Sequence, residues 1–338
     1  MKLDSEAAGI IPDLWYPLVE SRRIGARRPI GVARLGTRFV LWRARDGKVV
    51  CLPDRCPHRA AILSTGKLRD GCLECPYHGL RFDQRGKCVL IPANGVGAEV
   101  PQGFDMAPLR VQEAHGLIWY WHGDTEPYRE VPWLAGGAEP GPGTAQYSYV
   151  LPVPYLRIVE NLLDFHHFPI LHKVMLPGIG TRLDELETRL EGDVVAFSAV
   201  FRYETPSRWH QDTPVKAWFT LPSLALIKLG SFDVNYALTP VDEGHCWIFA
   251  RYANRRLGGA LGTAVGTLGA IYDRMIFELQ DKKVLRGQVD PPGDFSRFHL
   301  FEADRAIALL FGLRKRARAE AELRRKPVSA ESVAAAGS

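Results

Sequence analysis

No stretch of this chain approaches the ~20 consecutive apolar residues that a membrane-crossing helix needs, although 46% of its residues are hydrophobic. No membrane association is therefore expected. The opening residues from Met1 to Gly9 are polar and lead into no apolar segment behind a basic start, so no secretory signal is read. Cysteine is scarce too. Six thiols in 338 residues suit a reducing compartment better than a disulfide-built fold, and the cytoplasm is the expected location. The glycines at 258, 259, 262, 266 and 269 never fall into G-x-G-x-x-G behind a strand, which removes the dinucleotide-binding fingerprint. An excess of positive charge is nearly absent outside one segment: seven Lys or Arg and three Glu over 314–338 leave only +1 of the net +5 for the rest. No basic groove for nucleic acid is read from that.

What the chain does have is a paired motif. Cys56-Pro57-His58 is followed after sixteen residues by Cys75-Pro76-Tyr77-His78, so each of two short loops offers one thiolate and one imidazole. A [2Fe-2S] cluster held by two cysteines on one iron and two histidines on the other needs that division. A four-thiolate zinc site built from Cys51, Cys56, Cys72 and Cys75 is the competing reading. It has no use for a histidine two residues after one cysteine and three after another. Cys51 and Cys72 instead fall in short strand-like runs, Val49 to Leu52 and Gly71 to Glu74, where free cysteine packs as a small hydrophobe.

The paired loops resemble the Rieske family. In its respiratory branch a second cysteine in each loop forms a disulfide beside the cluster; the matching positions here are Ala61 and Tyr77, so no such bridge can form. CPHR at 56–59 and CPYHG at 75–79 look like the terminal oxygenase components of Rieske non-haem iron oxygenases, the aromatic-ring-hydroxylating and vanillate-demethylase-like enzymes.

A second constellation, ENLLDFHHFPILH over 160–172, fits that resemblance. Oxygen activation at non-haem Fe(II) uses two histidines and one carboxylate on one face of the metal. Asp164 and His167, three apart, are expected on one helical face. Pro169 should break or restart the helix and let His172 swing toward the same ion. The D-x2-H-x4-H spacing is similar to the oxygenase motif, with His167 and His172 as metal ligands; His166 is read as a neighbour of the site or a surface residue. The third ligand is sought in a long helix over about 260–288, where Leu268, Ile271, Tyr272, Met275, Ile276 and Leu279 recur at helical spacing. Asp281 lies there among apolar neighbours, and buried carboxylates are usually paired or metal-bound. The run from Phe277 to Leu285 resembles the family helix whose aspartate completes the triad; Glu278 is the substitute, and Gln280 departs slightly from the family pattern. The resemblance further implies that Asp164, supported by Asn161, bridges His167 to a cluster histidine of a neighbouring subunit, His78 before His58.

The expected organisation is α+β. Residues 1–29 form an N-terminal segment packing on the catalytic domain, with Leu14 to Pro17 resembling the family's start. Residues 30–124 form a small all-β Rieske domain, 125–313 a catalytic mononuclear-iron domain, and 314–338 a frayed, basic, partly disordered tail. Short β-branched runs between Gly, Pro and Asp turns mark the first domain, and alternating segments from Val194 to Tyr252 an antiparallel sheet in the second. The resemblance implies a helix-grip fold with substrate between a curved sheet and the long helix. It also implies O2 as co-substrate, NAD(P)H electrons relayed by a flavin reductase with or without a ferredoxin, and a homotrimer. Trp218, Phe219, Leu226, Tyr236 and Phe249 are the candidate pocket residues for an apolar or aromatic substrate, and Arg59, Arg69, Arg81, Arg85 and Lys87 could steer an acidic electron donor. The alternative function is Rieske electron transfer, with a second domain that only binds a ligand.

Overall fold

In the computed structural model of the chain, residues 8–176, 178–205, 212–293, 295 and 298–325 are described. The N-terminal strand Leu14–Glu20, buried along its whole length, pairs antiparallel with Leu117–His122, which pairs in turn with Val111–Ala114. Two further small antiparallel sheets follow the turn-punctuated stretch between them. One orders Ile30–Arg34, Thr37–Arg43 and Val49–Pro53, and the other Lys67–Arg69, Cys72–Glu74, Arg81–Phe82 and Cys88–Leu90. Val40, Trp42, Leu52, Leu63, Leu73 and Phe82 fill the core between these sheets, so the two cysteine loops project from a packed base.

A seven-stranded antiparallel sheet makes the larger unit. Its order is Thr144–Leu151, His245–Asn254, Phe232–Asp242, Leu224–Leu229, Thr213–Thr220, Val194–Arg202 and Arg182–Glu191. Val194–Arg202 alternates buried and half-buried positions strictly, as a strand with one face on a core must. The inner face carries α1 (Tyr155–Leu163), the short turn α2 (Phe168–Leu171), the long helix α3 (Gly259–Ile276) and the helices α4 (Lys282–Gly287) and α5 (Arg305–Arg325). Between α3 and α4 the helix runs on through a π turn over Phe277–Asp281.

The N-terminal strand belongs to both units. Its Tyr16 lies in the core of the large sheet, while the Thr239 hydroxyl of that sheet donates to the Pro17 carbonyl (2.6 Å).

The long helix is where the apolar pattern misleads. Leu268, Ile271, Tyr272, Met275 and Leu279 recur at helical spacing yet are exposed, Leu268 by 67%. The buried side carries Gly262, Gly266, Ala270, Ile276, Phe277 and Asp281. A Cβ on Gly266 would stand 3.2 Å from that of Ala145, so small residues allow the helix to press against the sheet, and contact distance rather than side-chain size chose the face.

The basic C-terminal run also departs from the frayed helix expected of it. α5 continues without interruption through Arg325. Arg314 is 5% exposed and donates to the Tyr155 hydroxyl and to the Pro222 and Gly9 carbonyls. A guanidinium can be buried when its donors meet acceptors in this way. Residues 326–338 lie outside the described residues, as do 1–7.

Candidate functional site

The two cysteine loops are alike at the backbone level. Cys56 N–H donates to Ala61 O (2.9 Å) and Ala60 N–H donates back to Cys56 O (2.9 Å); Cys75 and Leu80 (2.8 Å), then Gly79 and Cys75 (3.1 Å), repeat the pattern. In each loop the fourth residue after cysteine takes a left-handed backbone, Ala60 at φ +56° and Gly79 at φ +73°. The turn leaves both thiols buried, 2% exposed each, and both imidazoles exposed. The His58 and His78 rings stand 4.6 Å apart. Burial, opposed by backbone donors at His58 and reinforced by the facing Cys75 thiol, pushes the Cys56 thiol up to about 11. Paired thiols in such a setting ionise only against a compensating cation, and metal charge meets that need. The donor set of inward thiols and paired rings therefore fits an iron-sulfur cluster. Of the basic residues around the loops, Arg69 and Arg81 are engaged by Glu74 at 3.1 and 2.9 Å, which spends much of their charge locally. Cys51 lies in its strand in the core behind the loops.

The second constellation is built from a helix end, a turn and the π turn. α1 stops at Leu163, earlier than the expected break at Pro169. Asp164 is extended, and its carboxylate accepts from the His167 backbone N–H (3.3 Å), a local bond with which aspartate competes against helix. Asp164 and His167 thus meet across a turn and not on one helical face. Pro169 lies in the first turn of α2, where it starts the helix, and His172 follows at its end.

The Nε2 atoms of His167 and His172 are 3.1 Å apart, and Asp281 Oδ1 lies 3.7 and 3.3 Å from them. The three ligand atoms lie within 4.8 Å of one another. His172 and Asp281 are each 2% exposed. Each outer ring nitrogen faces an oxygen. His172 Nδ1 donates to Gln280 Oε1 (2.7 Å), and His167 Nδ1 lies 3.3 Å from Asp164 Oδ2. The Gln280 bond holds the outer proton of His172 and leaves its Nε2 lone pair facing the other donors, whereas the Asp164 contact is an ion-pair distance at which His167 Nδ1 makes no hydrogen bond. Burial would depress His172, but hydrogen bonds from its ring to Asp281 and Gln280 raise it above its ordinary value; the centre favours positive charge. Two imidazoles and a carboxylate converging in this way fit a divalent metal, and the donor set is of the kind that holds non-haem iron.

Around this centre, Asn161 Nδ2 lies 3.5 Å from His167 Nε2 and 3.4 Å from Asp281 Oδ1. His166 Nδ1 pairs with Asp164 Oδ1 at 3.0 Å. Burial would raise the Asp164 carboxyl, but its pairing with His166 and His167 wins and holds it well below the usual carboxylate range. Glu278, the substitute third ligand, faces away and pairs with Lys282 (2.6 Å).

A half-open, mostly apolar cavity of about 310 Å³ ends on His167, His172 and Asp281. Of the five candidate pocket residues only Tyr236 lines it. Trp218, Leu226 and Phe249 belong to the core on the sheet's opposite face, and Phe219 is packed inside the main core. The alternation of a strand put aromatics on both faces, and sequence could not say which face held the cavity. Gln280 stood out in the sequence only as a departure from the family pattern, and Asp273 carried no expected role. For Asp273 a signal existed: Gly269, Asp273, Phe277 and Asp281 form an i, i+4 row, and all four line the cavity.

Residues 14–102 match the Rieske [2Fe-2S] domain family, and residues 151–310 match the vanillate O-demethylase oxygenase C-terminal domain family. The chain belongs to the Rieske oxygenases. Among the relatives of this oxygenase-family chain is the vanillate O-demethylase oxygenase subunit of Pseudomonas sp. (strain HR199 / DSM 7063), 32% identical over 245 residues, 64% of each chain. The chloroplastic protein TIC 55 of Arabidopsis thaliana is 36% identical over 160 residues, 47% of this chain and 30% of its own length. The matched stretch thus spans between about a third and just under two thirds of these curated relatives. In fold, dicamba monooxygenase bound to dicamba superposes with a TM-score of 0.71 at 24% identity, covering 91% of this chain and 98% of that one. The small β unit and the helix-grip unit expected for the family are both present. Among the described residues, no helix is long and apolar enough to cross a membrane.

Proposed function

We propose that the chain is a terminal oxygenase that uses O2 and relayed NAD(P)H electrons to hydroxylate or oxidatively demethylate an apolar or aromatic small molecule. The observation that carries this is the convergence of His167, His172 and Asp281 at one end of a mostly apolar cavity, in a chain whose other domain is a Rieske domain. In this reading Cys56, His58, Cys75 and His78 hold the cluster, and His167, His172 and Asp281 hold a mononuclear Fe(II). An iron bound there would supply open coordination positions and a redox-active metal for oxygen activation, with the electrons themselves arriving through the cluster.

The chain's own residues do the rest. Gln280 keeps the His172 imidazole in the tautomer that leaves Nε2 bare, Asp164 stands at the outer edge of His167, and the apolar lining limits water at the reacting edge of the substrate. His58 and His78 stand exposed at the tip of the cluster loops, where an electron can enter or leave by contact with another protein surface. Asp164, with 28% of its side chain exposed, is reachable from outside. In a homotrimeric ring it bridges His167 to the neighbour's cluster histidine, with Asn161 bracing the inner side. Electrons come from a separate flavin reductase, with or without a ferredoxin, and the expected setting is the cytoplasm.

The test is a single turnover with pre-reduced, iron-loaded protein, O2 and a methoxyarene. Formaldehyde release and one iron beyond the cluster's pair are expected. Iron confined to the cluster, with no O2-dependent product from any methoxyarene, would instead establish an electron-transfer protein with a ligand-binding domain. Sedimentation in solution checks the trimer.

A further inference from the structure

The cavity that ends on the iron-binding set carries a second carboxylate in its wall. Asp273 lies eight residues before Asp281 on the same helical row, about 12 Å of rise away. Its Oδ2 accepts from the Tyr147 hydroxyl (2.5 Å) and its Oδ1 from the Tyr236 hydroxyl (2.9 Å). The Tyr252 hydroxyl is 3.2 Å from that of Tyr236. Asp273, Tyr236 and Tyr252 all face the cavity.

Counting protons shows what this cluster can accept. Each tyrosine has one O–H and the carboxylate has none. The Tyr147 and Tyr236 protons are spent on Asp273, and the Tyr252 proton is spent within the same group. Only lone pairs remain for a ligand. Around this group the lining is apolar, with Leu162, Ile227, Leu229, Phe232, Val234 and Ile276; the Tyr272 hydroxyl donates to the Met175 carbonyl, the Asn161 amide stands at the far end against His167 and Asp281, and no Lys or Arg lines the cavity among the described residues. The Arg274 guanidinium lies over the Tyr149 ring, outside the cavity wall. Burial pushes the Asp273 carboxyl up to about 6, against the tyrosine hydroxyls that hold it down, so the carboxylate predominates at neutral pH. A ligand anion placed there would meet a like charge and lone pairs with no donor, whereas an ammonium or hydroxyl would supply the missing protons through a charge-assisted hydrogen bond.

We propose that Asp273, with Tyr236 and Tyr252, is the polar anchor of the substrate cavity. It selects compact ring compounds that carry an amine or hydroxyl donor at the end remote from the reacting carbon, and it disfavours aryl carboxylates and sulfonates. This rests on the oxygenase reading above for taking the cavity as the substrate pocket. About 12 Å of rise, less a hydrogen bond at one end and the approach to the iron at the other, suits one ring with a short arm.

Vanillylamine, vanillyl alcohol and vanillate share a methoxyphenol ring and differ in the end group. Titration calorimetry with the iron-loaded holoprotein at neutral pH is expected to rank the amine first and vanillate last, with about tenfold or more between them. In Asp273→Asn the amine should lose about that factor and vanillate should gain. Vanillate binding as tightly as vanillylamine to the wild type overturns the anchor, as does a wild-type ranking that persists unchanged in Asp273→Asn, or failure of all three to bind. The wild-type ranking stands by itself should the variant not fold. Formaldehyde release from the same three compounds reads the oxygenase separately. The expected ranking without any turnover supports the anchor and counts against the oxygenase, while turnover of vanillate with the ranking inverted does the reverse.

Discussion

The two candidate metal centres of this chain are built in opposite ways. The cluster site takes its four donors from two short loops of one backbone design, with thiols inward and imidazoles at the exposed tip. The mononuclear site draws its donors from a helix-ending turn and, 109 positions after His172, from a π turn in another helix, and it buries them. A group that exchanges electrons with partners needs an exposed edge; a group that activates oxygen needs shelter from water. The first can be written locally in a chain, and the second needs the tertiary core to assemble it.

If the sites are independent in construction, losing one should spare the other. His172→Ala should abolish O2-dependent turnover and remove the mononuclear iron while the visible spectrum of the cluster stays as in the wild type; metal analysis beside absorption spectroscopy reads both. In the converse variant, Cys56→Ser, the cluster colour and acid-labile sulfide should vanish and turnover with them, yet the thermal transition of the large sheet should persist. Loss of both metals in either variant would break the comparison.

The link between the sites gives a smaller effect. Asp164→Asn should keep both metals and lower turnover by about 10- to 100-fold, the range typical for residues that support a metal ligand. Stopped-flow oxidation of the pre-reduced cluster, with substrate and O2 present, locates the loss. A wild-type rate of cluster oxidation would remove Asp164 from the electron path. Gln280→Ala should act only on the buried site: His172 loses the acceptor that fixes its ring, and iron affinity should fall by about tenfold, read by competition with a chelator, with the cluster unchanged.

Arg314→Met should leave both metal centres loaded. It strips donors from the Tyr155 hydroxyl and the Pro222 and Gly9 carbonyls and should cost about 1–3 kcal/mol of stability through buried acceptors left unpaired. Denaturant unfolding measures this, with iron content as the control.

The cluster loops were legible because their candidate ligands lie within 23 positions of chain, 56 to 78, in a spacing that little else requires. The convergence of His167 and His172 was legible by spacing as well, although the local backbone was not: a helix was expected to run past Asp164, where the carboxylate instead caps a turn. Asp281 was reached through apolar neighbours and the family resemblance. The same apolar pattern pointed to the wrong face of α3, since Leu268, Ile271 and Met275 are exposed while glycines make the sheet contact. Arg314 was read as tail charge because a sequence does not display the carbonyls that a buried guanidinium will meet.

By itself the sequence determined the chemistry of the ligands and the architecture of two β-rich units, because residue type and short-range spacing set what an atom can bind and how a local backbone turns. Only the tertiary structure brought Asp281 to the histidine pair, set Gln280 against His172, and decided which face of each strand and helix looks into the cavity. Those choices depend on distances between segments more than 100 positions apart, and such distances are set by how closely glycine, alanine and large side chains let the helices approach the sheet.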